Sequence, residues 1–233
     1  MNDRVNTLAT SVGYGQALPQ AERQRVLRNT YWLLAVSLLP TVLGAWLGVA
    51  TGITRALTGG LGLMVFLGGA FAFMFAIEKT KNSATGIPVL LGFTFFMGLM
   101  LSRLVGAVLG LGNGAGLVMT AFAGTGVIFL GMATLSSVIK RDLSALGKWL
   151  FVGAVMLMVA GIANVFLQSS ALMTTLSVMA IGLFSAFILH DLKRVRDGEE
   201  TNYITATLGV YLSLYNVFQS LLMLLGVFGG RDE

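Results

Sequence analysis

The stretch "YITATLGVYLSLYNVFQSLL", residues 203–222, decides the fold, because it is apolar enough to cross a bilayer and yet carries many polar side chains. No charged residue lies between Tyr203 and Phe228, and roughly 20 apolar residues suffice to cross about 30 Å of hydrocarbon. Lipid would penalise several of its polar side chains. These are Tyr203, Thr205, Thr207, Tyr211, Ser213, Tyr215, Asn216, Gln219 and Ser220. We therefore expect a spanning helix that other helices enclose.

The rest of the chain has the composition of a polytopic membrane protein. Of its 233 residues, 56% are hydrophobic and only 11% are charged, whereas a soluble domain usually has about 25% charged residues. Seven segments are long and apolar enough to span a bilayer. They are residues 30–50, 57–77, 87–109, 116–139, 149–167, 172–189 and 203–228. The sequence therefore predicts an all-α integral membrane protein with seven transmembrane helices.

Lysine and arginine are distributed unevenly between the two sides of this topology. The first side carries twelve of them, namely Arg4, Arg23, Arg25, Arg28, Lys79, Lys81, Lys140, Arg141, Lys148, Lys193, Arg194 and Arg196. The other side carries three, namely Arg55, Arg103 and Arg231. Because cytoplasmic loops are enriched in positive charge, we expect a cytoplasmic N-terminus and an external C-terminus. The predicted parts are a flexible cytoplasmic tail (1–28), a membrane domain (29–228) and a short external tail (229–233).

Several functional classes are excluded by what the sequence lacks. Without cysteine there are no disulfides, thiolate metal sites or cysteine nucleophiles. No Gly-x-Ser-x-Gly elbow, His-Glu-x-x-His pair or nucleotide-binding loop is present. The basic residues are scattered between apolar runs, which does not indicate nucleic-acid binding. We expect no catalysis, no cofactor, no metal and no nucleic acid; the expected partner is the lipid bilayer.

Asp191 is unusual because it directly follows an apolar run, next to the chain's only histidine, His190. If helix 6 ends there, its negative dipole end and the loss of hydration both disfavour a carboxylate. Asp191 would then need a cationic or hydroxyl partner. Two interpretations remain open: a residue that gates an ion path, or an ordinary anion at the membrane surface. His190 is either part of that site or an interfacial side chain that caps the helix or reaches for water.

Helix 7 presents two polar stripes, and their role is also open. Ser213, Asn216 and Ser220 share one face at spacings of three and four residues, and Tyr211, Tyr215 and Gln219 form an adjacent stripe at a spacing of four. Such groups commonly form interhelical hydrogen bonds that fix the packing. The alternative is that they line a polar path across the membrane.

Glycines at one-turn spacing indicate close helix contacts. "GAWLG" places Gly44 and Gly48 one turn apart, and "GAVLG" does the same for Gly106 and Gly110. Small residues at this spacing let helix backbones approach closely in lipid. We expect both pairs to lie in helix–helix contacts.

Four stretches, taken in order, resemble the Bax inhibitor 1-like family and specifically its bacterial YccA branch. They are "VLRNTYWLL" (26–34), "KRDLS" (140–144), "ANVFLQ" (163–168) and "GEETNYITATLGVYLSLYNVFQSLLMLLG" (198–226). The resemblance runs from Val26 to Gly226. It implies a bacterial inner (plasma) membrane protein in which helix 7 is enclosed by the other six helices.

The resemblance also implies two alternative functions. The YccA branch implies a modulator of the membrane-anchored protease FtsH that is itself a poor or competing substrate. The wider family implies a pH-sensitive leak channel for calcium ions or protons. In the calcium-leak members, an aspartate in a "DL" motif at the end of helix 6 shares a proton with an aspartate on helix 7. Here "HDL" supplies Asp191, but Ser213 occupies the second position.

A basic latch is a further feature that the resemblance places at the cytoplasmic end of helix 2. In this sequence the segment reads "EKTK", residues 78–81, instead of an arginine cluster. Lys79 and Lys81 are therefore candidate latch residues. Glu78 is a nearby acid that could replace the missing aspartate electrostatically.

The N-terminal tail has two possible roles: a handle for the protease, or a solvated leader whose arginines orient helix 1.

Overall fold

The computed structural model describes residues 20–229, apart from the side chain of residue 144, and that range contains seven helices and no strand. The helices are α1 (Gln20–Thr51), α2 (Gly59–Thr80), α3 (Gly86–Leu109), α4 (Gly114–Val138), α5 (Ser144–Leu167), α6 (Ser170–Asp197) and α7 (Tyr203–Gly229). Each of the seven is long and apolar enough to cross a membrane. The predicted all-α membrane fold with seven spanning helices is therefore confirmed.

Two helices extend well beyond their apolar segments. α1 begins at Gln20, inside the range predicted as tail, and α6 continues to Asp197, past the predicted end at residue 189. The extensions pack together, because Val26 of α1 forms a small buried cluster with Val195 of α6 and Ala206 of α7. Residues 1–19 and 230–233 lie outside the described range, so the flexible tail remains a prediction for residues 1–19.

α7 is the most buried of the seven helices. In its most apolar window 44% of the residues are buried, compared with 6% for α5. It packs against α1, α2, α3, α4 and α6. Its Tyr211 lies in the main core with Leu34, Phe93 and Ile188. Within the described range α5 makes no direct backbone contact with α7 and faces it across a cavity. Enclosure of α7 by all six other helices therefore stays a prediction.

The contact between α1 and α3 depends on glycine. A Cβ placed at Gly44 would lie 2.2 Å from the carbonyl oxygen of Phe95, and one at Gly48 would lie 2.3 Å from Ser102 Oγ. The prediction for this pair is confirmed. For the second pair the prediction holds only at Gly106, where a Cβ would lie 3.7 Å from Val49 of α1, an ordinary contact between helices. It is wrong for Gly110, because α3 ends before that residue.

We expect tags at the two termini to report opposite sides of the membrane, with residue 2 in the cytoplasm and residue 233 outside. Seven crossings separate the ends, and the twelve-to-three distribution of Lys and Arg sets their direction. Reporter fusions that are active on only one side would measure this. Finding both tags on the same side would contradict the seven-span topology.

Candidate functional site at the α6–α7 contact

The sequence predicted that Asp191 lies in the last turn of α6, and this prediction is wrong. The helix continues for a further turn and a half, to Asp197. Helix-dipole effects fall off within the last turn, so the predicted dipole penalty does not apply at Asp191. The reason for the difference is tertiary packing, since Leu192 and Val195 beyond Asp191 are themselves buried.

The Asp191 carboxylate lies between α6 and α7 and is 19% exposed. Its Oδ1 lies 3.1 Å from His190 Nδ1. Its Oδ2 lies against α7 at Gly209, where a Cβ would come within 2.9 Å of it. Gly209 therefore leaves the space that the carboxylate occupies.

His190 is the partner that the structure gives to Asp191. The residue is only 7% exposed, and its Nε2 lies against Gly147 of α5, where a Cβ would come within 2.6 Å. The imidazole thus fills the space between α5 and the Asp191 carboxylate. A part for His190 in a functional site stays a prediction.

Ser213, the predicted position of a second acid, is close to this pair but does not bond to it. Its buried hydroxyl donates to the carbonyl oxygen of Gly209, at 3.1 Å, within its own helix. The same glycine therefore meets Asp191 on one side and Ser213 one turn later. No hydrogen bond joins Ser213 to Asp191 within the described range.

The predicted latch residues are not brought to Asp191. Lys81 Nζ lies 2.5 Å from Glu78 Oε1 in a pair at the α2 end. Lys79 Nζ lies 5.3 Å from the centre of the Phe75 ring. These contacts give all three side chains a role at the surface of α2. None of them forms an ion pair with Asp191 in residues 20–229.

A network of charged residues at the end of α6 was missed by the sequence reasoning. Lys193 is buried and its Nζ bonds Asp197 one turn later. Arg196 Nε bonds Asp197 Oδ1 at 2.9 Å. Arg196 also donates to two carbonyls at the end of α4, those of Ser136 and, at 2.9 Å, Ile139. The network ties α6 to α4. The four-residue spacing of Lys193 and Asp197 was the signal available.

Asn202 joins the start of α7 to the loop after α2. Its Oδ1 accepts from the backbone N–H groups of Ile204, at 2.9 Å, and Thr205, at 3.2 Å. Its Nδ2 donates to the carbonyl of Lys81 at 3.0 Å and to Asn82 Oδ1 at 2.9 Å. The Asn202 side chain thus caps α7 and joins it to the loop that follows α2.

Replacing Asn202 by alanine is expected to destabilise the bundle by about 1–2 kcal/mol, because the cap and the link to the loop are both lost. Asn113 offers a matched control: it precedes α4 but its side chain makes no cap bond. Asn113→Ala should therefore change stability much less. Thermal unfolding of the two variants in detergent would compare them, and equal losses would contradict the capping role.

A cavity of about 1080 Å³ lies among α2, α3, α5, α6 and α7. Asn216, Gln219 and Ser220 of α7 and Asn164 of α5 line it, but Ser213 does not. Asn216 Nδ2 also donates to the carbonyl of Leu212 at 2.8 Å. Two of the three residues on the predicted face therefore reach the cavity.

Two residues of the second polar stripe of α7, Tyr211 and Tyr215, serve packing, whereas Gln219 lines the cavity. Tyr211 Oη lies 2.9 Å from Thr41 Oγ1 of α1, and Tyr215 donates to the carbonyl of Met97 on α3 at 3.4 Å. These are interhelical hydrogen bonds of the kind that fix packing. The polar load of α7 is thus divided between packing contacts and the cavity wall.

The candidate site thus brings a carboxylate and an imidazole within hydrogen-bond distance of each other, at Asp191 Oδ1 and His190 Nδ1. Residues 20–229 contain no group of three or more His, Cys, Asp or Glu side chains arranged to hold a metal ion.

Known proteins resemble this chain over almost its whole length. The sequence model of the family described as "Inhibitor of apoptosis-promoting Bax1" matches residues 23–230. A protein of Escherichia coli strain K12 named "Modulator of FtsH protease YccA" is 38% identical over 208 residues, which cover 89% of this chain and 92% of that protein. A protein from a second Escherichia coli strain, equally similar, is named "Inner membrane protein YccA". An uncharacterised Neisseria meningitidis protein is 36% identical, covering 94% of this chain and 98% of its own length.

Proposed function

The chain belongs to the Bax inhibitor 1-like family, and from that premise we propose that it modulates the membrane protease FtsH in a bacterial inner membrane. In this proposal the protein is itself a poor substrate that competes with other substrates. The observation that carries the proposal is the 38% identity to a protein named as a modulator of FtsH protease, over 89% of this chain.

The contacts of the described residues offer a physical reason for poor degradation. A protease that pulls on a cytoplasmic terminus must separate helices, and the rate of such forced unfolding follows the unfolding rate of the substrate. α1 is held by Val26 in a cluster with α6 and α7, and by close backbone contacts with α3 at Gly44. A protein pulled from residues 1–19 would resist at once. It would occupy the protease for a long time before it was degraded.

The proposal is tested by the half-life of an independent membrane substrate of FtsH. Overproducing this chain should lengthen that half-life in cells with the protease. An unrelated seven-helix protein, produced at the same level, controls for crowding of the membrane. An unchanged substrate half-life, with the chain abundant in the membrane, would contradict the proposal.

A second candidate is the leak channel, and the observation that favours it is the mostly buried Asp191 at the α6–α7 contact beside His190. A buried carboxylate between two helices can couple its protonation to their separation. The contacts described for Asp191 include no second carboxylate. Because the paired acid of the calcium-leak members is missing, we propose the leak channel as the alternative and protease modulation as the main function.

If the protein conducts calcium ions, Asp191→Asn should remove most of the pH dependence of the flux. Ser213→Asp should instead make the dependence steeper, because two close carboxylates cannot both ionise cheaply and titrate as a coupled pair. Flux into liposomes across a range of pH would measure both. Glu22→Gln, which changes an exposed carboxylate in the first turn of α1 that is not among the contacts described for Asp191, is the matched control. The same pH profile in every variant would mean that neither position gates the flux.

A further inference from the structure

Two arginines on the predicted outer side line one pocket. Arg55 follows α1 and Arg103 lies on α3, and both border a pocket of about 330 Å³. Arginine is disfavoured on the outer side of a membrane protein, and only three Lys or Arg residues of this chain are predicted there. That two of the three meet in one pocket indicates a site for an anion.

The positive charge of this pocket is not balanced by the residues around it. Every carboxylate side chain within residues 20–229 belongs to the predicted cytoplasmic side; they are Glu22, Glu78, Asp142, Asp191, Asp197, Glu199 and Glu200. None of them lines the pocket. Arg103 uses one nitrogen, Nη1, to donate to the carbonyl of Leu57. Among the described residues, no further hydrogen bond or ion pair engages the other guanidinium N–H groups of the two arginines.

The loop that carries Arg55 is held firmly against α3. Thr54 and Ser102 are both buried, and their hydroxyl oxygens lie 2.8 Å apart. Gly52 adopts a left-handed backbone (φ +65°), and the Arg55 side chain lies over it within about 3 Å of the place a Cβ would take. The position of Arg55 relative to Arg103 is therefore built into the fold.

The end of the bundle that holds the pocket also carries exposed apolar side chains. Trp46 of α1 is 65% exposed and Ile53 of the loop is 68% exposed, and both belong to the same end of the bundle as the pocket. Tryptophan is enriched where membranes meet water. A phosphate group in the pocket would therefore lie at the level of the membrane surface, where phospholipid headgroups are found.

We propose that this pocket binds a phosphate group, carried by an anionic phospholipid of the outer leaflet. Arginine matches phosphate oxygens with paired, charge-assisted hydrogen bonds, and two guanidinium groups provide for one phosphate. Free inorganic phosphate has the same recognition chemistry, and the test separates the two sources. The proposal concerns the opposite end of the bundle from the candidate site, and it does not depend on the proposed function.

The test is the retention of phosphatidylglycerol by the purified full chain in detergent, compared with phosphatidylcholine. The wild type should retain phosphatidylglycerol preferentially. Arg55→Gln with Arg103→Gln should weaken retention by about tenfold for each guanidinium group that is removed. Arg55→Gln alone leaves the bond from Arg103 to Leu57 in place, so it should weaken retention without disturbing the fold. Lys140→Gln with Arg141→Gln, at the opposite end, is the charge-matched control and should retain the lipid.

The outcomes separate the sources of the phosphate. Competition by inorganic phosphate at equal concentration would assign the pocket to free phosphate, and resistance to it would assign the pocket to the lipid. Equal retention by the wild type and both arginine variants would overturn the proposal. Retention that appears only after Asp232→Asn and Glu233→Gln would also overturn it, because the chain's own carboxylates would then be the occupants.

Discussion

Replacing Gly98 by alanine is expected to destabilise the seven-helix bundle by about 1–3 kcal/mol, the usual cost of overpacking. A Cβ at this position would lie 2.1 Å from the carbonyl oxygen of Thr41 and 2.8 Å from its carbon. Both are backbone atoms of α1, so no side-chain rotation relieves the clash. α1 and α3 would have to separate, and the hydrogen bond between Thr41 and Tyr211 of α7, now 2.9 Å, would be strained as well.

Gly131→Ala is the matched control, because nothing lies within 4 Å of a Cβ at that position in α4. Alanine favours helix over glycine by roughly 1 kcal/mol, so this variant should be neutral or slightly more stable. Thermal unfolding in one detergent would measure both variants. Equal losses of stability at the two glycines would contradict the close α1–α3 contact.

Removing residues 2–19 is expected to lengthen the lifetime of the protein several-fold in cells that contain FtsH. The deletion ends immediately before α1 and keeps Arg23, Arg25 and Arg28. The charges that orient α1 are therefore retained, and insertion should be normal. The deletion removes the long polar segment that a cytoplasmic protease could grip. What remains at this end is the packed helix α1, which begins at Gln20. Pulse-chase labelling would measure the lifetime.

Cells without FtsH activity provide the control for that experiment. There the full and truncated chains should decay at the same rate. Equal lifetimes in cells with the protease would mean that the tail is a solvated leader and not a handle. A truncated chain that fails to insert would be recognised by its absence from the membrane fraction.

The helices could be predicted from sequence because their signal is local. Each apolar run of about 20 residues has one stable arrangement in a bilayer, since the backbone must satisfy its own hydrogen bonds there. The packing of α7 against five other helices was indicated by its polar side chains, because lipid offers such side chains no hydrogen-bond partner. The close contact at Gly44 and Gly48 was predicted from spacing, but the tighter contact at Gly98 was not, because no second glycine one turn away marked it.

The ends of α1 and α6 were not predictable in the same way. Hydropathy falls where Lys193, Arg194 and Arg196 begin, and such residues are usually in water. In the structure Lys193 is buried beside Asp197, and Arg196 bonds carbonyls of α4. Tertiary partners therefore extend the helix beyond its apolar run.

The candidate site was predicted only in part. Asp191 and His190 stood out by composition, but the space that each occupies is left by a distant glycine, Gly209 and Gly147 respectively. Nothing in the local spacing indicates those pairings. The pairing of Glu78 with Lys81, in contrast, is a local contact that their three-residue spacing does indicate.

Cleavage of a membrane substrate by purified FtsH and ATP, in proteoliposomes that also contain this chain, tests the central claim most directly. The proposed function predicts that cleavage slows as the chain is added, while the chain itself is degraded slowly. Substrate cleavage at the same rate with a molar excess of the chain in the same vesicles would contradict it.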